Sequence, residues 1–141
     1  GRARLDAVEL EAFRGALALP AWMSAHVVYD ALDPEVPATL SRAVLTELAR
    51  DTLGCGGAML SDDLEMAAVR DALGVTGAGV AALEAGCDLL LVCSEPDEAL
   101  ALRGALASRA GASAAFEARL REAERRVAAL RRTVPARVSA G

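Results

Sequence analysis

Three short apolar runs, at residues 21–29, 57–61 and 87–93, alternate with longer segments whose apolar residues recur every three or four positions. Strand, helix, strand, helix, strand is the order of a parallel sheet, because parallel neighbours need a crossover and the crossover is usually a helix. The first helical segment starts with Asp6 as its cap and runs to about Ala18, with Val8, Ala12, Phe13, Ala16 and Leu17 on one side; Pro20 closes the connection. A loop with Asp33-Pro34 and Val36-Pro37 leads to a helix from about Ser41, where Val44, Leu45 and Leu48 share a face and Gly54 ends the element. Two short helices, 64–73 and 76–85, are expected next, with Gly86 stopping the second. Pro96, with Asp97 and Glu98 behind it, opens a helix to about Ser108 that Gly111 breaks. Ser113 begins the last helix, in which Phe116, Leu120, Ala123, Val127 and Leu130 form an apolar stripe and Arg121, Arg125 and Arg132 a solvated face. Residues 1–134 are expected to form one α/β domain and 135–141 a flexible tail.

Composition narrows the class. The hydrophobic fraction is 54% but the aromatic fraction only 3%, so the core must be built from Ala, Leu and Val and is thin. The net charge of −5 hides an asymmetry: residues 1–100 hold 17 acids and 6 arginines, while residues 101–141 hold 3 acids and 9 arginines. Those arginines follow a helical pattern without interleaved aromatic residues for base stacking, which argues against nucleic-acid binding. Cys55, Cys87 and Cys93 lack metal-ligand spacing, and a strand joining the last two would hold them about 20 Å apart, so no disulfide framework is expected. No apolar stretch approaches the roughly 20 residues a membrane span needs, and the N-terminal residues lack a signal pattern; a cytoplasmic location is the expectation.

Chemistry concentrates at one place. The run Gly57-Ala58-Met59-Leu60-Ser61 stops on Asp62 and Asp63, and reactive groups of parallel α/β folds sit at the carboxyl ends of strands. Asp62 is therefore the candidate catalytic residue, against the simpler role of a helix N-cap for Asp62 or Asp63. Asp63 and Glu65 suit the first turn of the following helix, and Asp62, Asp63 and Glu65 together have a second reading as oxygen ligands for Mg²⁺. His26 and Met66 are candidate substrate-contacting residues. Their competing roles are a core histidine satisfied by backbone and ordinary apolar packing, and Met23 and Trp22 share that ambiguity.

The segment Leu53-Gly54-Cys55-Gly56-Gly57-Ala58-Met59-Leu60-Ser61-Asp62-Asp63-Leu64-Glu65-Met66 resembles the nucleophile segment of glycoside hydrolase family 3, in its bacterial β-N-acetylglucosaminidase branch. Two other stretches resemble the same branch in the same order: Met23-Ser24-Ala25-His26-Val27-Val28-Tyr29, with Leu32-Asp33-Pro34 and Thr39-Leu40-Ser41, and Ala85-Gly86-Cys87-Asp88-Leu89-Leu90-Leu91-Val92-Cys93. Cys55 and Gly56 depart from the usual Phe and Asp, and 19–22 is shorter than its counterpart. The resemblance implies that Asp62 attacks the anomeric carbon of an N-acetylglucosamine-containing glycan, without metal or cofactor, in cell-wall glycan recycling. It also implies a partial eightfold barrel comprising the last three β/α units and the C-terminal helices, since a whole barrel takes roughly 250 residues. The family's Lys-His pair, sugar-gripping Arg and Asp-His acid/base loop belong upstream of these segments. The chain contains no Lys and a single His, so a complementing N-terminal fragment, self-association or a non-catalytic remnant are the alternatives.

Overall fold

The computed structural model describes residue 4 and residues 9–133. The expected cap at Asp6, the contact of Val8 and the tail 135–141 lie outside the described residues. Three parallel strands, β1 (Ala21–Met23), β2 (Ala58–Asp63) and β3 (Leu89–Leu91), pair in chain order. Helix α1 (Leu10–Arg14) precedes them, α2 (Ala43–Thr52) and α3 (Ala67–Ala85) make the crossovers, and α4 (Pro96–Ala112) and α5 (Ala114–Thr133) follow. The α/β alternation is as expected, with shifted boundaries.

Each shift has a local cause. β1 stops after Met23, not at Tyr29: the Ser24 N–H still bonds Leu60 O, but Ala25 and Val27 then offer their carbonyls to Thr39 and Ala38, so the chain leaves the sheet to pair with its own loop. β2 runs two residues further than expected, through both aspartates. β3 is shorter because the Cys87 N–H is spent on Ala82 O at the end of α3, while the Cys93 N–H goes to the Glu65 carboxylate. The span 67–85 holds the two expected short helices, meeting at Gly74, whose non-helical φ of 65° only glycine adopts cheaply; the first starts at Ala67, later than expected. Gly111 does not break α4, which continues to Ala112. α2 is wound wide, with the Leu53 N–H reaching back to Leu48 O, and it buries Leu45 and Leu48.

The core lies between the sheet and α2, α3 and α4, where Leu45, Met59, Leu64, Val69, Val75, Ala82, Cys87 and Leu102 pack. A smaller cluster of Leu83, Phe116 and Ala123 fastens α5 to α3. The buried part of the expected α5 stripe is thus correct, and Arg121, Arg125 and Arg132 are exposed. Close approach also decides the entry to β2. A side-chain carbon on Gly57 would meet Leu19 O at 2.6 Å and the Pro20 carbonyl carbon at 2.9 Å, and backbone cannot swing aside as a side chain can. Gly57→Ala should cost about 1–3 kcal/mol in denaturant unfolding, the range for overpacking a tight site.

Candidate functional site

A single extra residue in β2 governs what its carboxyl end presents. Leu60 pairs with Leu89 and Asp63 with Leu91, so three steps along β2 span two along β3. The ladder is repaired by a side chain: the Leu91 N–H donates to Ser61 Oγ at 2.9 Å, while Leu91 O accepts from the Leu64 N–H. Such bulges re-aim side chains at sheet ends. Here Ser61 is fully buried, and Asp62 and Asp63 are half-buried at the mouth.

Asp62 Oδ1 accepts the N–H of Asp63 at 2.8 Å, its one hydrogen bond among the described residues. Asp63 turns away, its Oδ1 accepting the Glu65 N–H at 3.1 Å. The two carboxylates thus accept different backbone N–H groups, and Asp63 is a strand residue, not the expected first-turn helix acid; α3 starts only at Ala67. Glu65 is not a first-turn acid either. Its carboxylate reaches the β3–α4 loop and accepts the N–H groups of Cys93, Ser94 and Glu95 at 2.7, 2.6 and 3.0 Å. The three acids thus face separate backbone donors, and among the described residues no three His, Cys, Asp or Glu side chains gather as a metal site.

His26 lies in the loop after β1, not on the strand, and borders the end of β2. Its Nε2–H donates to Asp63 O at 2.9 Å, and Nδ1 lies 3.0 Å from Thr39 Oγ1. Thr39 is fully buried and contacts Ser24 Oγ at 2.9 Å, which in turn donates to Leu60 O. With both ring nitrogens engaged, the imidazole ties the β1 loop to the aspartate strand. Met66 precedes α3 and is 45% exposed, with Met23 exposed at the end of β1. Trp22 packs inward, stacked on Phe13 at 5.4 Å between centroids, with its Nε1 buried and without a partner among the described residues. Asp33 organises the same loop: Ser41 Oγ donates to its Oδ2 at 2.6 Å, and that bond holds the carboxyl below the usual range.

The opposite end of the sheet holds a cluster that sequence reasoning missed. Asp88, whose side chain has no exposed surface, receives Arg50 at 2.6 Å, Arg119 at 2.7 Å, Arg126 at 3.4 Å and the Met59 N–H at 2.9 Å. Arg50 also donates to the carbonyls of Cys55, Gly57 and Gly86. The Asp88 cluster sits at the amino-terminal end of the strands, away from the mouth, where parallel α/β units place stabilising rather than reacting groups. The available signal was Arg119-Glu122-Arg126, spaced three and four apart beside the apolar stripe of α5.

A parallel α/β sheet with an ionisable aspartate turned to the carboxyl end of its middle strand defines a class, and comparison with known proteins identifies which one. Residues 1–130 match the model of the glycosyl hydrolase family 3 N terminal domain, and the chain belongs to that family. It is 44% identical over 98 residues to a β-hexosaminidase of Alkalilimnicola ehrlichii, covering 68% of this chain and 28% of that one. The fold superposes on a family 3 β-N-acetylglucosaminidase of Paenibacillus sp. with a TM-score of 0.85 and 38% identity, over 94% of this chain and 26% of the other. A β-N-acetylhexosaminidase of Beutenbergia cavernae gives a TM-score of 0.81 at 32% identity, over 85% and 36%. The chain thus spans about a quarter to a third of the length of these relatives. No helix among the described residues is long and apolar enough to cross a membrane.

Proposed function

We propose that this chain carries the nucleophile end of a retaining β-N-acetylglucosaminidase, with Asp62 as the attacking group. The observation that supports it is the bulge at Ser61 and Asp62, with one carboxylate oxygen of Asp62 lacking a donor among the described residues at the strand mouth while Asp63 is turned to Glu65. In the proposed reaction an Asp62 oxygen bonds to the anomeric carbon as the aglycone departs with its electron pair and takes a proton from a general acid. Water, deprotonated by the same group, then releases the sugar and restores the carboxylate. His26 holds the end of β2 in place through Asp63 O, and Met66 and Met23 supply an apolar rim for the sugar. A location in the cytoplasm and a role in cell-wall glycan recycling go with this reading.

The three strands would be the last three of an eightfold barrel, and the general acid would come from the units that complete it. Two features support that reading. An apolar groove of about 440 Å³ beside β1, lined in part by Phe13, Trp22, Leu48 and Met59, and another of about 460 Å³ beside β3, lined in part by Leu89, Leu90 and Leu102, flank the sheet at its two edges. Unpaired parallel edges with apolar flanks invite association. Sedimentation should show a dimer or larger species; a compact, cooperatively unfolding monomer would count against it.

The test of the nucleophile is covalent trapping. Incubated with a dinitrophenyl N-acetyl-β-glucosaminide, whose leaving group needs no protonation, the chain should gain one N-acetylglucosaminyl unit on the peptide carrying Asp62, read by mass spectrometry. Absence of any adduct in a protein shown to be folded would favour a non-catalytic remnant.

A further inference from the structure

We propose that Glu65 is a positioning residue that fastens the β3–α4 loop to the end of the aspartate strand, fixing residues 93–95 as one wall of the mouth and setting the Cys93 thiol beside Asp63. A carboxylate receiving three consecutive backbone N–H groups is held far more firmly than a surface acid, because each bond is charge-assisted and together they fill an anion-binding concavity of the main chain. The segment it holds is exposed, so without Glu65 those amides would face water. Glu65 follows Asp63 by two residues, and Asp63 Oδ1 accepts the Glu65 N–H, so the loop's anchor and the acids of the mouth share one rigid turn.

The exposed thiol gives this arrangement a readout of its own. Cys93 titrates above the ordinary thiol range, first through desolvation at the mouth, then through the charge of and hydrogen bond to Asp63, then through the charges of Glu65 and Asp62. Cys55 and Cys87 are buried, and burial pushes the Cys87 thiol up to about 12, so both report whether the fold is intact. The consequence for catalysis rests on Asp62 as nucleophile; the anchoring itself does not.

The experiment is amide exchange at Cys93, Ser94 and Glu95 together with iodoacetamide labelling of the intact chain between pH 6 and 10. In the native chain the three amides should exchange at least about tenfold more slowly than unprotected ones, and Cys93 should label slowly with a raised midpoint. Glu65→Gln places an amide N–H where a donor already points, so protection should fall and Cys93 labelling at pH 8 should rise about tenfold. Its midpoint should move down while Cys55 and Cys87 stay unlabelled. Unprotected amides in the native chain, or an unchanged rate and midpoint in the Gln variant, would overturn the assignment. Should the variant unfold, labelling of Cys55 and Cys87 would reveal it, and native exchange alone would decide. Asp62→Asn should leave loop protection intact, so a failed nucleophile and a failed anchor give different results.

Discussion

Asp88→Ala should destabilise the fold by about 3–5 kcal/mol, the range measured when one partner of a buried ion pair is removed. The size follows from what the substitution strands. Asp88 has no exposed side-chain surface, and Arg50 and Arg119 are 10% and 16% exposed, so in a place water reaches poorly Arg50 would lose its counter-charge and Arg119 would keep only the longer contact to Glu122, at 3.5 Å. The Met59 N–H would lose its acceptor as well. Against a typical total stability of about 5–15 kcal/mol, such a loss brings the chain close to its unfolding midpoint. Asp88→Asn keeps one acceptor but aims an amide N–H at a guanidinium, so it should recover only part of the deficit. Urea unfolding followed by circular dichroism measures both variants. A loss under about 1 kcal/mol for the alanine variant would mean that the arginines find water or other acceptors readily.

Asp62→Asn should abolish the covalent adduct formed with the activated glycoside, slowing its formation on the order of 10⁴-fold or more, as when other enzymes lose a nucleophile. The substitution keeps size and the hydrogen bond from the Asp63 N–H, so the fold should be untouched. Asp63→Asn is the informative control. Its carboxylate serves the Glu65 N–H, so its replacement should leave glycosylation within a few-fold of native while lowering the Cys93 midpoint. Steady turnover by the chain alone should stay at background, since deglycosylation needs a base to activate water and no second His or any Lys is present to match the family's acid/base loop or Lys-His pair. Turnover lost in Asp62→Asn would show that the chain supplies its own base; turnover indifferent to it would remove Asp62 from the mechanism.

The order of elements was legible because short apolar runs between helical periodicities leave few alternatives to a parallel sheet. Boundaries were less legible, since they depend on which backbone group a distant residue captures. Ala25 and Val27 take the chain off the sheet by accepting the N–H groups of Thr39 and Ala38, and the Cys93 N–H leaves β3 for a carboxylate 28 residues earlier. Asp62 stood out as an acid ending an apolar run. Glu65 and Asp88 did not, because a carboxylate that serves main-chain donors or three arginines from afar has the same local signature as one that caps a helix or faces water.

The three arginines that meet Asp88 enter from different times in the life of the chain. Arg50 is already present when Asp88 leaves the ribosome, but Arg119 and Arg126 follow 31 and 38 residues later. Until then one oxygen of that carboxylate has no charged partner, so the third strand cannot settle fully into the base of the sheet. Domains assemble during synthesis at about 5–20 residues per second, which leaves a window of seconds in which α5 is the missing piece. The last helix therefore acts as the latch of vectorial folding, and a nascent chain stalled before Arg119 would hold a three-stranded sheet with its seat for α5 open.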